Sequence, residues 1–163
     1  MVVLKWILIV IAAVVVLAVV AGQLGLLKGN TPADLGVREG KLKPPAKTPN
    51  SVSSQAALHP DHPRKDFAQI APLPLKGDGP ATMARIKALV QAMPGAQVMK
   101  SEPGYLYAQF TTPLMKFVDD TEFWFDAAGG VIQVRSASRI GEGDHGLNRA
   151  RIEAVRTALA AAP

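Results

Sequence analysis

The sequence predicts an α+β domain behind an N-terminal transmembrane helix. Three observations carry this. The first 27 residues form an apolar run with one charge, Lys5. Residues 67–163 then read strand, helix, four strands, helix. The connections between strands are short and rich in Gly and Pro, so hairpins predominate. Such an order gives a small antiparallel sheet of about four to five strands with two helices on one face.

From Trp6 to Ala21 the chain is Ile, Leu, Val and Ala apart from the Trp, and the apolar character continues through Leu24, Leu26 and Leu27. A spanning helix needs about 20 such residues, so residues 3–27 are expected in a lipid bilayer. The competing reading is a cleaved signal peptide, for which Val19-Val20-Ala21 offers a small-residue cleavage site. The run is long for a signal, which favours an uncleaved single-pass anchor. Orientation depends on the flanking basic residues. Lys5 lies on one side, and Lys28, Arg38, Lys41 and Lys43 lie on the other. Charge alone leaves the domain inside or undecided.

Residues 28–66 have little hydrophobic periodicity and many Pro, Lys, Ser and Asn residues, which predicts an extended tether stiffened at Pro44-Pro45 and Pro49 that holds the domain off the bilayer. Phe67–Leu75 reads as an edge strand whose pairing is limited by Pro72 and Pro74. Pro80–Met93 reads as a helix, with Met83, Ile86, Leu89, Val90 and Met93 on one stripe and Pro94-Gly95 as the stop. Gln97–Lys100 and Tyr105–Thr111 flank a Pro103-Gly104 turn of type II, where glycine accepts the positive φ. Thr121–Asp126 and Val131–Ser136 form the clearest hairpin, closed by Ala127–Gly130. Leu147–Ala160 is the last helix, with Ile152, Val155 and Leu159 facing the core. About 95 residues can bury such a core without a cofactor.

The chain has 163 residues, a net charge of +5 and no cysteine. The missing cysteine excludes disulfides, thiol catalysis, cysteine metal sites and a lipidated cysteine anchor. Setting Lys5 aside leaves 17 basic groups against 13 acids. That excess suits an anionic membrane surface and falls far short of a nucleic-acid footprint.

Chemistry concentrates in Phe117–Glu153. Pairing outward from the Ala127–Gly130 turn sets Phe125 opposite Ile132 and Phe123 opposite Val134 on the core face. Glu122, Trp124, Gln133 and Arg135 share the other face, with Glu122 opposite Arg135. That pair is either an ordinary cross-strand ion pair or the floor of a site. On the last helix, Asn148 falls in the middle of the apolar stripe and Arg151 at its margin. Arg149 and Arg156 fall near Glu153 on an exposed, salt-laced face. A core-directed Arg151 needs a carboxylate, and Asp119, Asp120 and Glu122 are the candidates. Asp119 and Asp120 are adjacent on a strand, point to opposite faces, and so are not automatically a catalytic pair. Asp144 suits a helix cap. The glycines at 141, 143 and 146 suggest an anion-binding loop without matching any phosphate fingerprint. The candidate set, as a ligand site or a structural polar network, is Asp119, Asp120, Glu122, Arg135, Ser136, Ser138, Arg139, Asp144, Asn148 and Arg151. His59-Pro60-Asp61-His62 lies in the proline-rich stretch and is not expected to bind metal. Ser51, Ser53 and Ser54 lack a nucleophile-elbow context.

Three motifs, Pro49–Gln55 (PNSVSSQ), Phe117–Phe123 (FVDDTEF) and Arg135–Arg151 (RSASRIG followed by DHGLNRAR), resemble the uncharacterised family numbered 1499 among the domains of unknown function. The resemblance implies an α+β domain, often behind a membrane segment or targeting signal, and no established activity. It also implies that Pro49–Gln55 packs on the domain. Family members commonly carry a cysteine just after the Pro-Asn of the first motif and another a few residues before it. Here those places are Ser51 and Pro45. Such a pair would suit an oxidising compartment, so the resemblance tips the orientation toward a single-pass inner-membrane protein whose domain faces the periplasm. Secretion after signal cleavage and a cytoplasm-facing domain are the alternatives.

Three functions follow, in this order. The first is a non-enzymatic, membrane-tethered module that binds an anionic ligand, lipid headgroup or envelope protein through Arg135, Arg139 and Arg151. The second is an assembly subunit of an envelope complex. The third is a hydrolase-like or other enzyme using Asp119, Asp120 or Glu122 as acid or base on an anionic substrate. No cofactor, metal or nucleic acid is expected.

Overall fold

A computed structural model describes residues 2–161. The apolar run forms helix α1, Val2–Gln23. The remaining elements are β1 (Ser51–Ser53), a single 3-10 turn (Ala56–Leu58), α2 (Lys65–Ala68), β2 (Leu73–Pro74), α3 (Gly79–Gln91), β3 (Ala96–Glu102), β4 (Tyr105–Thr111), β5 (Val118–Asp126), β6 (Val131–Ser138) and α4 (Leu147–Ala161). The sheet is antiparallel in the order β1-β6-β5-β4-β3, and β2 also pairs with β6.

The β5–β6 register is the one expected: Phe125 faces Ile132, Phe123 faces Val134 and Glu122 faces Arg135. The apolar half of these pairs meets α3 and α4. Met83, Ile86 and Val90 of α3 and Ile152, Val155 and Leu159 of α4 are buried with Leu106, Phe110, Phe123, Ile132 and Val134. Helix α3 starts where Asp78 Oδ1 accepts the Ala81 N–H at 2.7 Å, a side-chain cap for an otherwise orphan donor. Gly104 takes the positive φ, 78°, that its turn requires.

The expected tether is part of the packed structure. Residues 34–46 lie over the sheet face opposite the helices, where Leu42 is buried with Tyr105 and Tyr107 against Leu35 and Trp124. Residues 50–53 and Gln55 are buried. This stretch supplies β1, whose Ser51, Val52 and Ser53 pair with Ala137, Ser136 and Arg135. Side chains hold this stretch where apolar periodicity is absent. Gln55 Oε1 accepts from the Leu42 N–H at 2.8 Å, and Ala46 N–H donates to Ser51 Oγ at 2.8 Å. The sheet therefore has three layers around it: helices, sheet, and a strap of irregular chain.

The expected edge strand Phe67–Leu75 is instead a short helix, a connection and the two-residue β2. Pro72 and Pro74 cannot donate to a ladder. The freed carbonyls are taken by arginines of α4. Arg149 Nη2 donates to the carbonyls of Phe67 and Gln69 at 2.6 and 2.8 Å. Arg156 donates to those of Pro72 and Ala71 at 2.7 and 2.6 Å. Arg156 does pair with Glu153, but neither arginine is merely part of a solvated face.

Candidate functional site

The period-2 alternation of β5 and β6 divides the six candidate residues on these strands between two faces of the sheet. Asp119, Ser136 and Ser138 point to the helices. Asp120, Glu122 and Arg135 point to the strap. Adjacent Asp119 and Asp120 accordingly belong to different networks.

On the helix side, Arg151 Nη2 donates to Asp119 Oδ2 at 2.6 Å, and its guanidinium carbon lies 4.3 Å from the Phe110 ring centroid. Arg151 Nη1 also donates to Ser136 Oγ and Asn148 Oδ1. Asn148 Nδ2 donates to Asp144 Oδ2, the Asn50 carbonyl and Ser138 Oγ. Asp144 caps α4: its Oδ1 accepts from Gly146 N–H and its Oδ2 from Asn148 N–H, both at 2.9 Å. Thr121 and Ser136 share a hydroxyl hydrogen bond at 2.7 Å. Each buried polar group here has a partner, so this network is closed. Beside it lies a cleft of about 270 Å³ lined by Phe117, Asp119, Ser138, Ile140, Asp144, His145 and Leu147, among others.

On the strap side, Arg139 holds Asp120 with two hydrogen bonds, Nε to Oδ2 at 2.9 Å and Nη2 to Oδ1 at 2.8 Å. Tyr107 donates to the same Oδ1 at 2.5 Å, and Gln109 Nε2 donates to the Tyr107 hydroxyl at 2.8 Å. The hydrogen bond to Asp120 raises the Arg139 pKa. Glu122 Oε1 accepts from the Tyr105 hydroxyl and from the Gly36 N–H, both at 2.7 Å. Burial pushes both phenol pKa values up; the neighbouring Glu122 adds to this at Tyr105, and the hydrogen bond to Asp120 adds to it at Tyr107.

The pair expected between Glu122 and Arg135 is present but loose. Arg135 Nη1 stands 3.6 Å from Glu122 Oε2, with both side chains almost wholly buried. Neither atom has a hydrogen-bond partner. Arg135 Nε donates to the Pro44 carbonyl at 3.3 Å, and burial depresses the Arg135 pKa. Arg135 lines a groove of about 370 Å³ between strap and sheet. Arg139, Asp120, Lys43, Asp34 and Asn30 also line it. Lys43 pairs with Asp34 at 2.6 Å across its exposed mouth.

Sequence reasoning missed Tyr105, Tyr107, Asn50, Lys43 and Asp34. The tyrosines were within reach. They face Trp124 and Glu122 in the β4–β5 register, and one further hairpin pairing would have put them on the strap side. Lys43 and Asp34 gave no signal, because they sit in a stretch without periodicity; Asn50 lies in the Pro49–Gln55 motif, which carried the resemblance but pointed to no role for this side chain. Among the described residues, no three His, Asp or Glu side chains are grouped to hold a metal ion.

A family model described as "Protein of unknown function (DUF1499)" matches residues 41–159, from the strap through α4. No curated protein and no solved structure matches the chain.

Proposed function

We propose, from the premise that the chain belongs to the DUF1499 family, that it is a membrane-anchored, non-enzymatic module that binds a carboxylate or phosphate group in the groove between strap and sheet. The observation that carries this is Arg135. It is a buried guanidinium whose Nη1 has no hydrogen-bond partner and whose nearest carboxylate stands at 3.6 Å. Buried charges are normally saturated with hydrogen bonds, and an unsaturated one is costly. A planar guanidinium presents a fork suited to carboxylate and phosphate oxygens. Arg139 and Lys43 line the same groove.

The closed network around Asn148 and Arg151 is read as scaffolding that holds β6 and α4 together. Catalysis by the carboxylates is disfavoured for a related reason. Asp119 and Asp120 are each gripped by an arginine at 2.6 and 2.8 Å, and acid–base work would first require breaking those pairs.

Helix α1 has the length and composition to cross a membrane, and we read it as an uncleaved anchor that places the domain on the periplasmic side. A cysteine introduced at the exposed Ala128 should react with an impermeant maleimide in cells with a permeabilised outer membrane. Protection there, with labelling only after lysis, would place the domain inside.

The binding reading is tested by thermal denaturation of the full chain in detergent with inorganic phosphate or acetate, against chloride at equal ionic strength. A ligand bound only by the folded state at about 100 times its Kd adds about 2.7 kcal/mol of stability. A saturable rise in Tm that is weakened in Lys43→Ala and lost in Arg135→Gln is expected. No rise beyond the chloride control with either anion would sink the reading.

A further inference from the structure

We propose that the β4–β5 loop, together with Ile140 and Leu147, forms a second contact with the bilayer that α1 crosses, so that the domain sits on the membrane surface. The inference rests on reading α1 as an anchor. At 1.5 Å per residue its 22 residues span about 33 Å, close to the ~30 Å of the hydrocarbon core. The C-terminal end of α1 therefore lies at the interface, and anything fixed to that end lies there too.

The β4–β5 loop is fixed to it. Gln23 Nε2 donates to the Leu114 carbonyl at 2.8 Å and approaches that of Pro113 at 3.4 Å. Gly22 is the one buried residue of α1. A Cβ at that position would stand 2.5 Å from the Met115 carbonyl oxygen, so the close approach requires glycine. Leu114 is nonetheless 59% exposed.

The loop is not alone. A Cβ on Gly29, six residues past Gln23, would stand 2.8 Å from Ile140 Cγ2. Ile140 and Leu147 line one cleft with Thr112 and Phe117, which flank the loop. Outside α1, eight large hydrophobic residues are exposed among the described residues. Five of them, Leu24, Leu26, Leu114, Ile140 and Leu147, belong to the segments meeting here. Scattered exposed hydrophobics need no explanation, but a cluster beside a membrane exit does. Lys28 and Lys116 flank it in sequence, with Glu142 as the nearby exposed acid. That balance suits an anionic leaflet. The occupant is thus the bilayer that holds α1.

The absence of native cysteine allows single-cysteine variants of the full chain, each carrying an environment-sensitive fluorophore, in phosphatidylcholine–phosphatidylglycerol vesicles. Leu114→Cys and Ile140→Cys probe the contact, and Val15→Cys probes the middle of α1. Ala128→Cys, in the turn at the far end of the nine-residue β5, sits roughly 30 Å along the strand from the β4–β5 loop. Nitroxide lipids labelled near the headgroup should quench the Leu114 and Ile140 probes several-fold more than the Ala128 probe, and deep acyl nitroxides should quench the Val15 probe. Leu114 and Ile140 probes quenched no more than Ala128, with Val15 still quenched, would overturn the surface contact and leave the anchor standing. An unquenched Val15 probe would overturn the anchor and this contact with it.

Discussion

Arg139 grips Asp120 along one edge of its guanidinium, Nε to Oδ2 at 2.9 Å and Nη2 to Oδ1 at 2.8 Å, with both side chains buried. The preceding residue, Asp119, is held by Arg151 from the other side of the sheet at 2.6 Å. Two adjacent carboxylates thus anchor two arginines from different layers: Arg139, just beyond the end of β6, against the strap side, and Arg151 from α4.

Removing one partner of such a pair leaves an uncompensated buried charge. Asp120→Asn or Arg139→Gln should each destabilise the protein by about 3–5 kcal/mol in denaturant unfolding. The double variant carrying both Asp120→Asn and Arg139→Gln should cost clearly less than the sum of the single losses, because neither charge is then stranded. Strictly additive losses would show that the two groups are not coupled.

The chain's two tyrosines give an optical readout of the strap side. Tyr105 donates to Glu122 at 2.7 Å and Tyr107 to Asp120 at 2.5 Å, and burial raises both phenol pKa values. In the unfolded chain a phenol titrates near ~10. Above that pH the unfolded state releases protons that the folded state keeps. The stability these groups contribute is therefore present below about pH 10 and is lost as pH rises through their folded-state values. Phenolate absorbance should stay absent as pH passes the ordinary phenol value of ~10, then appear together with loss of far-ultraviolet circular dichroism. Ordinary phenolate titration in the folded protein would contradict the buried donor geometry.

The elements that the sequence announced are those whose information is local. The Ala127–Gly130 turn sets the β5–β6 register, and with it the opposition of Glu122 to Arg135. The stripes of α3 and α4 name their buried residues, and Asn148 and Arg151 stand out because apolar periodicity has no place for them. The strap was illegible because distant polar side chains hold it, as Gln55 does for Leu42 and Glu122 does for Gly36. The same limit hid which arginine pairs with which carboxylate. Arg139 reaches Asp120 from just beyond the end of β6, a placement that strand alternation does not fix. It also hid α2, whose neighbours are held through carbonyls that proline-limited pairing leaves free.

Gly95 carries a constraint that is both conformational and steric. Its φ is +73°, and a Cβ there would stand 2.4 Å from the Thr111 carbonyl oxygen. Thr111 N–H meanwhile donates to the Gly95 carbonyl at 2.9 Å, closing the end of the β3–β4 pair. Gly95→Ala should therefore cost more than about 1 kcal/mol in denaturant unfolding. Gly40→Ala is the control: its φ is +69° with nothing within 4 Å, so it reports the left-handed penalty alone. Equal losses at both positions would mean that the backbone at Thr111 yields.

Asn148 joins three parts of the fold through one wholly buried amide. Its Nδ2 donates to Asp144 Oδ2 at 2.8 Å and to the Asn50 carbonyl and Ser138 Oγ at 3.1 Å. Its Oδ1 accepts from Ser136 at 2.5 Å and Arg151 at 2.8 Å. Asn148→Asp keeps the shape and the acceptor side but turns the donor into a carboxylate oxygen facing that of Asp144. Two carboxylates at such a distance do not both ionise readily, so one of the pair takes a raised pKa in the folded variant. Between the unfolded value of ~4 and that raised value, the folded variant holds a proton that the unfolded chain has lost. Its stability relative to the native protein should therefore recover as pH falls from about 7 toward ~4. Asn148→Ala loses the same donor without adding charge, and its deficit of about 1–3 kcal/mol should stay flat over that range. Circular-dichroism melts of the three proteins across pH separate the two cases. A flat deficit in Asn148→Asp would mean that residue 148 and Asp144 do not share one buried charge site.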